Sequence, residues 1–356
     1  MTPAPIPPPG ADRPEKRRRL RDLLDRAGLE RVLLSTGPTL AWYLDGARVD
    51  VGAGAAPVLA VVADGRDDVV HCAVDEIDRL RAEELPDDVE VRPVPWPVPP
   101  ALAVPGDLPG EGGLEAGLRA ARARLLPAER ARYADLGRVC AEVLTAALGA
   151  AEPTESERGL AGRVGGLLLA HGIDPLVVLV AGHDRLGLRH PVPGGGPLGR
   201  RAMVVVCGRR HGLVANLTRW VAFEAPDPAT AEGTGALLEV EADVLAACRP
   251  GRTLAEVLQD VARAYPRHGF SPREWTNHHQ GGPTGYAGRD PRATPEAADV
   301  VVPGQAFAWN PTAPGVKVED TLVLDPGAAG PQVLTVDPAW PTVTVRGVPR
   351  PAELRR

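Results

Sequence analysis

Chemistry in this sequence must come from a few polar residues set among apolar runs. His190 stands in RHPVPGGGPLG, followed by a proline and a glycine-rich connection. An imidazole titrates near neutrality, so it is the side chain best able to move a proton without a metal. His278 and His279 are adjacent in NHHQGG. In an extended segment neighbouring side chains point to opposite faces, so only one of the two is expected in a given pocket. His279 is the one expected there, because Gly281 and Gly282 beside it allow a ligand to approach closely. Glu319 and Asp320 follow Lys317 in VKVEDT, and they either serve a pocket or act as ion-pair partners of Lys317 and Arg219. Cys207 closes the apolar run MVVVC. A thiol there is a nucleophile if it ionises and plain packing if it does not.

The elements that must position these groups are legible in outline. Leu20, Leu23, Leu24 and Ala27 recur at helical spacing between Lys16 and Leu29, and Gly28 closes the pattern as a C-cap does. Strands are expected at Arg31 to Ser35, Val58 to Val62, Val69 to Cys72 and Val89 to Val91, with a helix from Asp75 to Leu85. Prolines 93, 95, 97, 99 and 100 then fix an extended stretch, and the glycines at 106, 110, 112 and 113 punctuate a loop before Pro127. A long helix is expected from Ala128 to Leu148. Thr154 with Glu157, and Thr253 with Glu256, read as capping boxes opening helices to Ala170 and Tyr265, and a further helix covers about Ala229 to Ala247. Strands are expected at Met203 to Cys207, Gly212 to Val221, Ala306 to Asn310 and Thr321 to Leu324. The whole is an α/β (α+β) chain.

At 356 residues the chain should form about two domains. A hydrophobic fraction of 44% and a charged fraction of 24% suit a globular protein, and no apolar run is long enough to span a bilayer. The net charge of -6 argues against a nucleic-acid partner, and the doublets Arg200-Arg201 and Arg209-Arg210, with no interleaved aromatics, read as solvated strand ends. Four scattered cysteines without a CxxC pair, and no export signal, point to the cytoplasm.

Taken together, RHPVPGGGPLGRRAMVVVCGRRHGLVANLTRW (189–220), NHHQGGPTGYAGRD (277–290), AFAWNPTAPG (306–315) and VKVEDTLVL (316–324) resemble, in order and spacing, the second domain of the creatinase and aminopeptidase P (pita-bread) family. Residues 1–13, Pro-rich and polar, are expected to be a disordered tail, and the resemblance implies 14–125 as a creatinase-like N-terminal domain and 126–356 as a pita-bread domain. Peptidase members hold two divalent metals with two Asp, one His and two Glu. Here the first Asp position falls on Cys207 or Val205, the second on Asn216, the His on Gly282 and one Glu on Asn310, leaving Glu319. About -1 of charge then stands where a family site has about -4, too little to offset the dehydration of two dications. No metal and no other cofactor is expected.

Where the family places a second active-site histidine, this sequence has Arg289, a permanently charged fork. Against Glu319 it implies a nearly neutral pocket suited to a zwitterion or carboxylate. His190 matches the histidine that is the acid/base of creatinase, itself metal-free. The resemblance therefore implies His190, Glu319 and His279 as catalytic, with Arg289, Asn216, Asn310, Cys207, Arg219 and Tyr286 binding substrate. The expected function is that of a metal-independent hydrolase or lyase acting, as a homodimer, on a small amino-acid-derived molecule. An inactive homologue that binds a peptide or protein, as histone-chaperone members of the family do, is the alternative. An ordinary Xaa-Pro metallopeptidase ranks third because the ligands are lost.

Overall fold

The computed structural model describes residues 7–104, 106–328 and 330–356. These divide into two compact units, the first running to Arg132 and including Arg210–Leu213, the second holding Tyr133–Arg209 and Val214–Arg356. The division falls inside one long helix, a few residues beyond the boundary expected at 125. The expected tail lies partly outside the described residues. From Gly10 onward, however, the chain is tied down, because the backbone N–H groups of Gly10 and Asp12 donate to Asp45.

The first unit begins with α1 (Arg13–Ala27), which buries Leu20, Leu23 and Leu24 and ends on Gly28 in the left-handed conformation. It continues through β1 (Val32–Leu34), α2 (Gly37–Tyr43), β2 (Leu59–Ala63), β3 (Val69–Ala73), α3 (Ile77–Glu83), β4 (Glu90–Val94) and α4 (Glu115–Ala123). The sheet order is β1-β2-β3-β4. The first two pairings are antiparallel and the last is parallel, α3 supplying the crossover. Its charged core links Lys16 to Asp45 at 2.6 Å and to Glu129 at 2.7 Å, and Arg132 to Asp45 at 2.6 Å.

α5 (Pro127–Gly149) leads into the second unit, followed by α6 (Glu157–Ala170), β5 (Asp174–Ala181), β6 (Arg201–Arg210) and β7 (Leu213–Ala222). α6 is capped by Ser156, whose hydroxyl accepts from Gly159 N at 3.1 Å. The expected Thr154 box is corrected, since Glu157 instead turns inward to accept from Gly182 N at 2.8 Å. Between β6 and β7, His211 and Gly212 both take positive φ, the requirement of a two-residue turn matched to strand twist. α7 (Pro228–Ala247) and α8 (Leu254–Arg267) follow, the second opened by the expected Thr253–Glu256 capping box.

The remaining strands are β8 (Gly281–Thr284), β9 (Ala306–Trp309), β10 (Thr312–Ala313), β11 (Val316–Lys317), β12 (Asp320–Val323), β13 (Gln332–Val333), β14 (Thr342–Val345), β15 (Val348–Pro351) and β16 (Leu354–Arg355). They complete two four-stranded sheets, β16-β7-β6-β5 and β13-β12-β9-β8. α7 and α8 pack on the latter through Leu237, Val240, Val257 and Val261 against Phe307 and Trp309. Full burial of one such aliphatic side chain is worth roughly 1.5–3 kcal/mol. The two sheets are stitched at β7 and β12: Thr321 Oγ1 accepts from Asn216 N at 2.7 Å and donates to Asn216 O at 3.0 Å, and Thr218 N donates to Glu319 O at 2.9 Å. Beneath this seam Arg350 spans Glu241 and Asp320, and Arg219 bonds Asp320 and the carbonyl of Thr335. Among the described residues no helix is long and apolar enough to cross a membrane, and none of the four cysteines is in a disulfide.

Candidate functional site

The seam between the sheets is where the polar residues collect. Glu319 ends the turn from β11 into β12 and is almost wholly buried. One carboxylate oxygen accepts from Arg289 Nη2 at 2.5 Å, and the other accepts from Thr218 Oγ1 at 3.2 Å and lies 3.8 Å from Lys317 Nζ. Burial works against its ionisation, but Lys317 and Arg289 outweigh that and hold its pKa below the ordinary carboxylate value. Lys317 is pushed the other way by burial, so its ammonium is held less firmly than a surface lysine. With two cations against one carboxylate, the pocket is positive, not the nearly neutral site expected from Arg289 and Glu319 alone.

Beside this cluster stand three imidazoles. His190 lies in the loop before β6, and its Nε2 is 3.1 Å from His278 Nε2, a contact that requires one N–H and one lone pair. His278 and His279 stack with centroids 4.3 Å apart, and both rings lie against His190, at 4.8 and 5.9 Å. The expectation that only one of the adjacent pair would face this way is corrected. The segment is not a regular strand there, β8 beginning only at Gly281, so the alternation rule has no hold. Burial first, then neighbouring cations, lowers all three from the ordinary imidazole value: His278 to about 2, His279 to about 4, and His190 in the same direction. At neutral pH all three are uncharged bases.

Two further groups point to a missing donor. Asn216 Nδ2 donates to Val214 O and to Thr284 Oγ1 at 3.1 Å, which fixes the orientation of the amide. Its Oδ1 is buried without a partner among the described residues, as is Oδ1 of Asn310. Leaving a buried acceptor unpaired costs about 1–3 kcal/mol, which an N–H from a ligand would recover. Asn216 Oδ1 lies near Gly288, next to Arg289, and Asn310 N donates to Gln280 O, next to His279.

The other expected residues divide. Cys207 feels the charges of Glu319, Arg289 and Lys317, and burial pushes its thiol up to about 12, so it is no nucleophile at neutral pH. Tyr286 is buried. Arg219 is withdrawn from substrate binding: its guanidinium is buried and bonded to Asp320 at 2.8 Å, on the far side of the strand from Glu319. Lys317 and His278 are the groups that sequence reasoning undervalued. Lys317 stands two residues before Glu319, the spacing that puts side chains on one face of an extended segment.

Three comparisons bear on this arrangement. The model of metallopeptidase family M24 matches residues 131–326, more than half of the chain. The chain belongs to that family. Prolidase from Pyrococcus horikoshii superposes with a TM-score of 0.73 at 17% identity, over 90% of this chain and 98% of that one. Dipeptidase PepE from Mycobacterium ulcerans gives 0.73 at 21%, over 92% and 96%. The N-terminal domain of the FACT complex subunit SPT16 from Cicer arietinum gives 0.69 at 13%, over 92% and 97%. At these identities the likeness is one of fold, the pita-bread fold. No curated protein matches the chain.

The M24 family implies a pair of divalent metals, and the donors in this chain do not fit them. Cys207 is held as a thiol, Asn216 and Asn310 are neutral, and Glu319 already answers Arg289 and Lys317. Gly282 has φ +139, and a Cβ there would fall 2.9 Å from Ala293 N and Pro291 O, so the family's ligand histidine has no room. His190, His278 and His279 do offer three nitrogens within 4.8 Å of one another. Lys317 and Arg292 lie close enough to depress these imidazoles and would oppose a dication, and among the described residues Nδ1 of His278 and of His279 makes no hydrogen bond that would orient it as a ligand. Elemental analysis of purified protein is therefore expected to find well under one Mn, Co or Zn per chain. A stoichiometric metal lost on Glu319→Gln or His278→Ala substitution would overturn this.

Proposed function

We propose that this M24 chain is a metal-independent hydrolase or lyase acting on a small amino-acid-derived carboxylate, as the homodimer that the family resemblance implies. The observation that carries the reading is the juxtaposition of neutral imidazoles with a net-positive Glu319–Arg289–Lys317 cluster and two orphan amide oxygens. Arg289, turning from Glu319 to substrate, and Lys317 hold the carboxylate. Asn216 and Asn310 accept N–H groups on the nitrogen of the bond to be broken. His190, oriented by His278, takes a proton from water or from the substrate carbon and returns one to the departing nitrogen. His279 and Glu319 set the field around that transfer. No Lewis acid is needed where the leaving nitrogen is protonated as the bond breaks.

The test is calorimetric titration with N-substituted glycines and short dipeptides, each beside its C-terminal amide. A free carboxylate is expected to be required, and Arg289→Gln to weaken binding about tenfold or more, with Arg289→Lys intermediate. Equal binding of acid and amide, or no effect of Arg289→Gln, would reject the assignment. A second reading, a binding protein without chemistry, is favoured by the fold shared with the FACT subunit domain. It predicts ligand binding without any turnover.

A further inference from the structure

The first unit carries a charged feature that the chemistry of the second does not use. Arg13, Arg17 and Arg21 are spaced four apart on α1, so their side chains rise from one helix face. Together with Arg66 they line an open depression of about 460 Å³. Gly65 makes this possible. It has φ +76, and a Cβ there would lie 2.6 Å from the carbonyl oxygen of Arg17 and 2.6 Å from Cγ of Arg21. Only glycine lets the turn at 64–68 come so close to α1, and Arg66 rides on that turn.

The charges in the depression do not balance. Arg13 and Arg17 share Asp68 and Asp88, with Asp68 Oδ2 at 3.3 and 3.2 Å and Asp88 Oδ2 3.2 Å from Arg17. Asp68 is saturated, since its other oxygen also accepts from Tyr43 Oη at 2.7 Å and Gly65 N at 3.2 Å. Arg21 donates to the neutral carbonyl of Gly65. Arg66 is exposed, and neither Arg21 nor Arg66 has a carboxylate partner among the described residues. Nε of Arg13, in a side chain about nineteen-twentieths buried, likewise lacks an acceptor. Four guanidiniums and one carboxylate, Asp88, thus line the basin, with Asp68 bonded to Arg13 and Arg17 and Asp64 accepting from the backbone N–H of Arg66, and its wall carries no aromatic or large aliphatic side chain.

We infer that this basin binds the phosphate group of a small phosphorylated ligand. A phosphate anion finds converging guanidiniums there, two of them without a carboxylate partner among the described residues, and its oxygens suit paired guanidinium forks better than a single carboxylate does. The inference does not rest on the proposed chemistry.

The experiment is isothermal titration of the full chain at low ionic strength with inorganic phosphate, pyrophosphate and ADP. One saturable site per chain is expected, weakened about tenfold in Arg21→Ala and in Arg66→Ala and more in the double variant. Asp88→Asn, which removes a competing carboxylate, is expected to tighten binding. Raising salt to physiological strength should weaken it through screening. Arg66 is exposed, so its variant should unfold at the wild-type temperature, which separates lost binding from lost structure. Similar affinity for ADP and pyrophosphate would support recognition of phosphate alone, whereas tighter ADP binding would support a nucleotide. The inference is overturned if no probe gives saturable heat, or if the double variant binds as wild type does.

Discussion

Replacing His190 with alanine is expected to lower turnover of the responsive substrate by 10²- to 10⁴-fold, the usual contribution of a positioned acid/base group. Binding of the carboxylate should change little, because Arg289 and Lys317 are untouched. The pH profile carries the sign. Burial and the nearby Lys317 and Arg292 lower the His190 pKa, so the neutral, proton-accepting form persists below the ordinary imidazole value of about 6.5. Activity should therefore be flat through neutrality and fall only as pH drops past a midpoint under that value. His278→Ala should lower kcat more than KM, since His278 orients His190 and does not hold the carboxylate. Wild-type turnover that survives in His190→Ala, or an acid limb above 7, would remove His190 from the mechanism. Absence of turnover across all N-substituted amino acids tried would favour the binding reading.

Arg350→Ala is expected to lower stability by roughly 3–5 kcal/mol, because it strands a buried carboxylate without its counter-charge. Arg350 bonds Glu241 Oε2 at 2.6 Å and Asp320 Oδ2 at 2.7 Å, and all three side chains are buried. Asp320 keeps Arg219, so the loss falls mainly on Glu241. Denaturant unfolding should show it as a lower midpoint, and pairing the change with Glu241→Gln should restore much of the deficit. By contrast, Arg138→Ala removes exposed contacts to Asp135 and Glu142 and should shift stability by no more than about 1 kcal/mol. A small effect of Arg350→Ala would mean that the network is wetter than its burial suggests.

How much of this could be read from the sequence depended on whether local rules governed the residue. α1 was legible because its leucines and Gly28 obey helical spacing and capping, and α8 because Thr253 and Glu256 meet reciprocally. The start of α6 was misplaced, since Ser156 caps it while Glu157 is drawn inward by Gly182 and Gly194, a tertiary demand with no local signature. β5 was missed. Its run DPLVVLVA follows a helix directly and sits at the edge of its sheet, half-buried along most of its length, so no clean alternation marks it. The two-residue strands β10, β11, β13 and β16 exist only through their partners.

In the site, the motif order pointed to His190, Arg289 and Glu319, and the structure sets Arg289 on Glu319 and His190 beside the histidine pair. The contact between His190 and His278 depends on a loop and a strand start meeting across 88 positions of sequence, and nothing local encodes it. Lys317 was visible as a charge but not as a pocket group, because its burial is decided by the sheet around it.

Cys207 has a bearing on how this protein can be probed. With burial pushing its thiol up to about 12, Cys207 carries very little thiolate at neutral pH. Iodoacetamide, acrylamides and peroxide all react through that form, so cysteine-directed profiling of a proteome would pass over this pocket even where it is intact and occupied. The same inertness means that a covalent inhibitor would need an anchor other than sulfur.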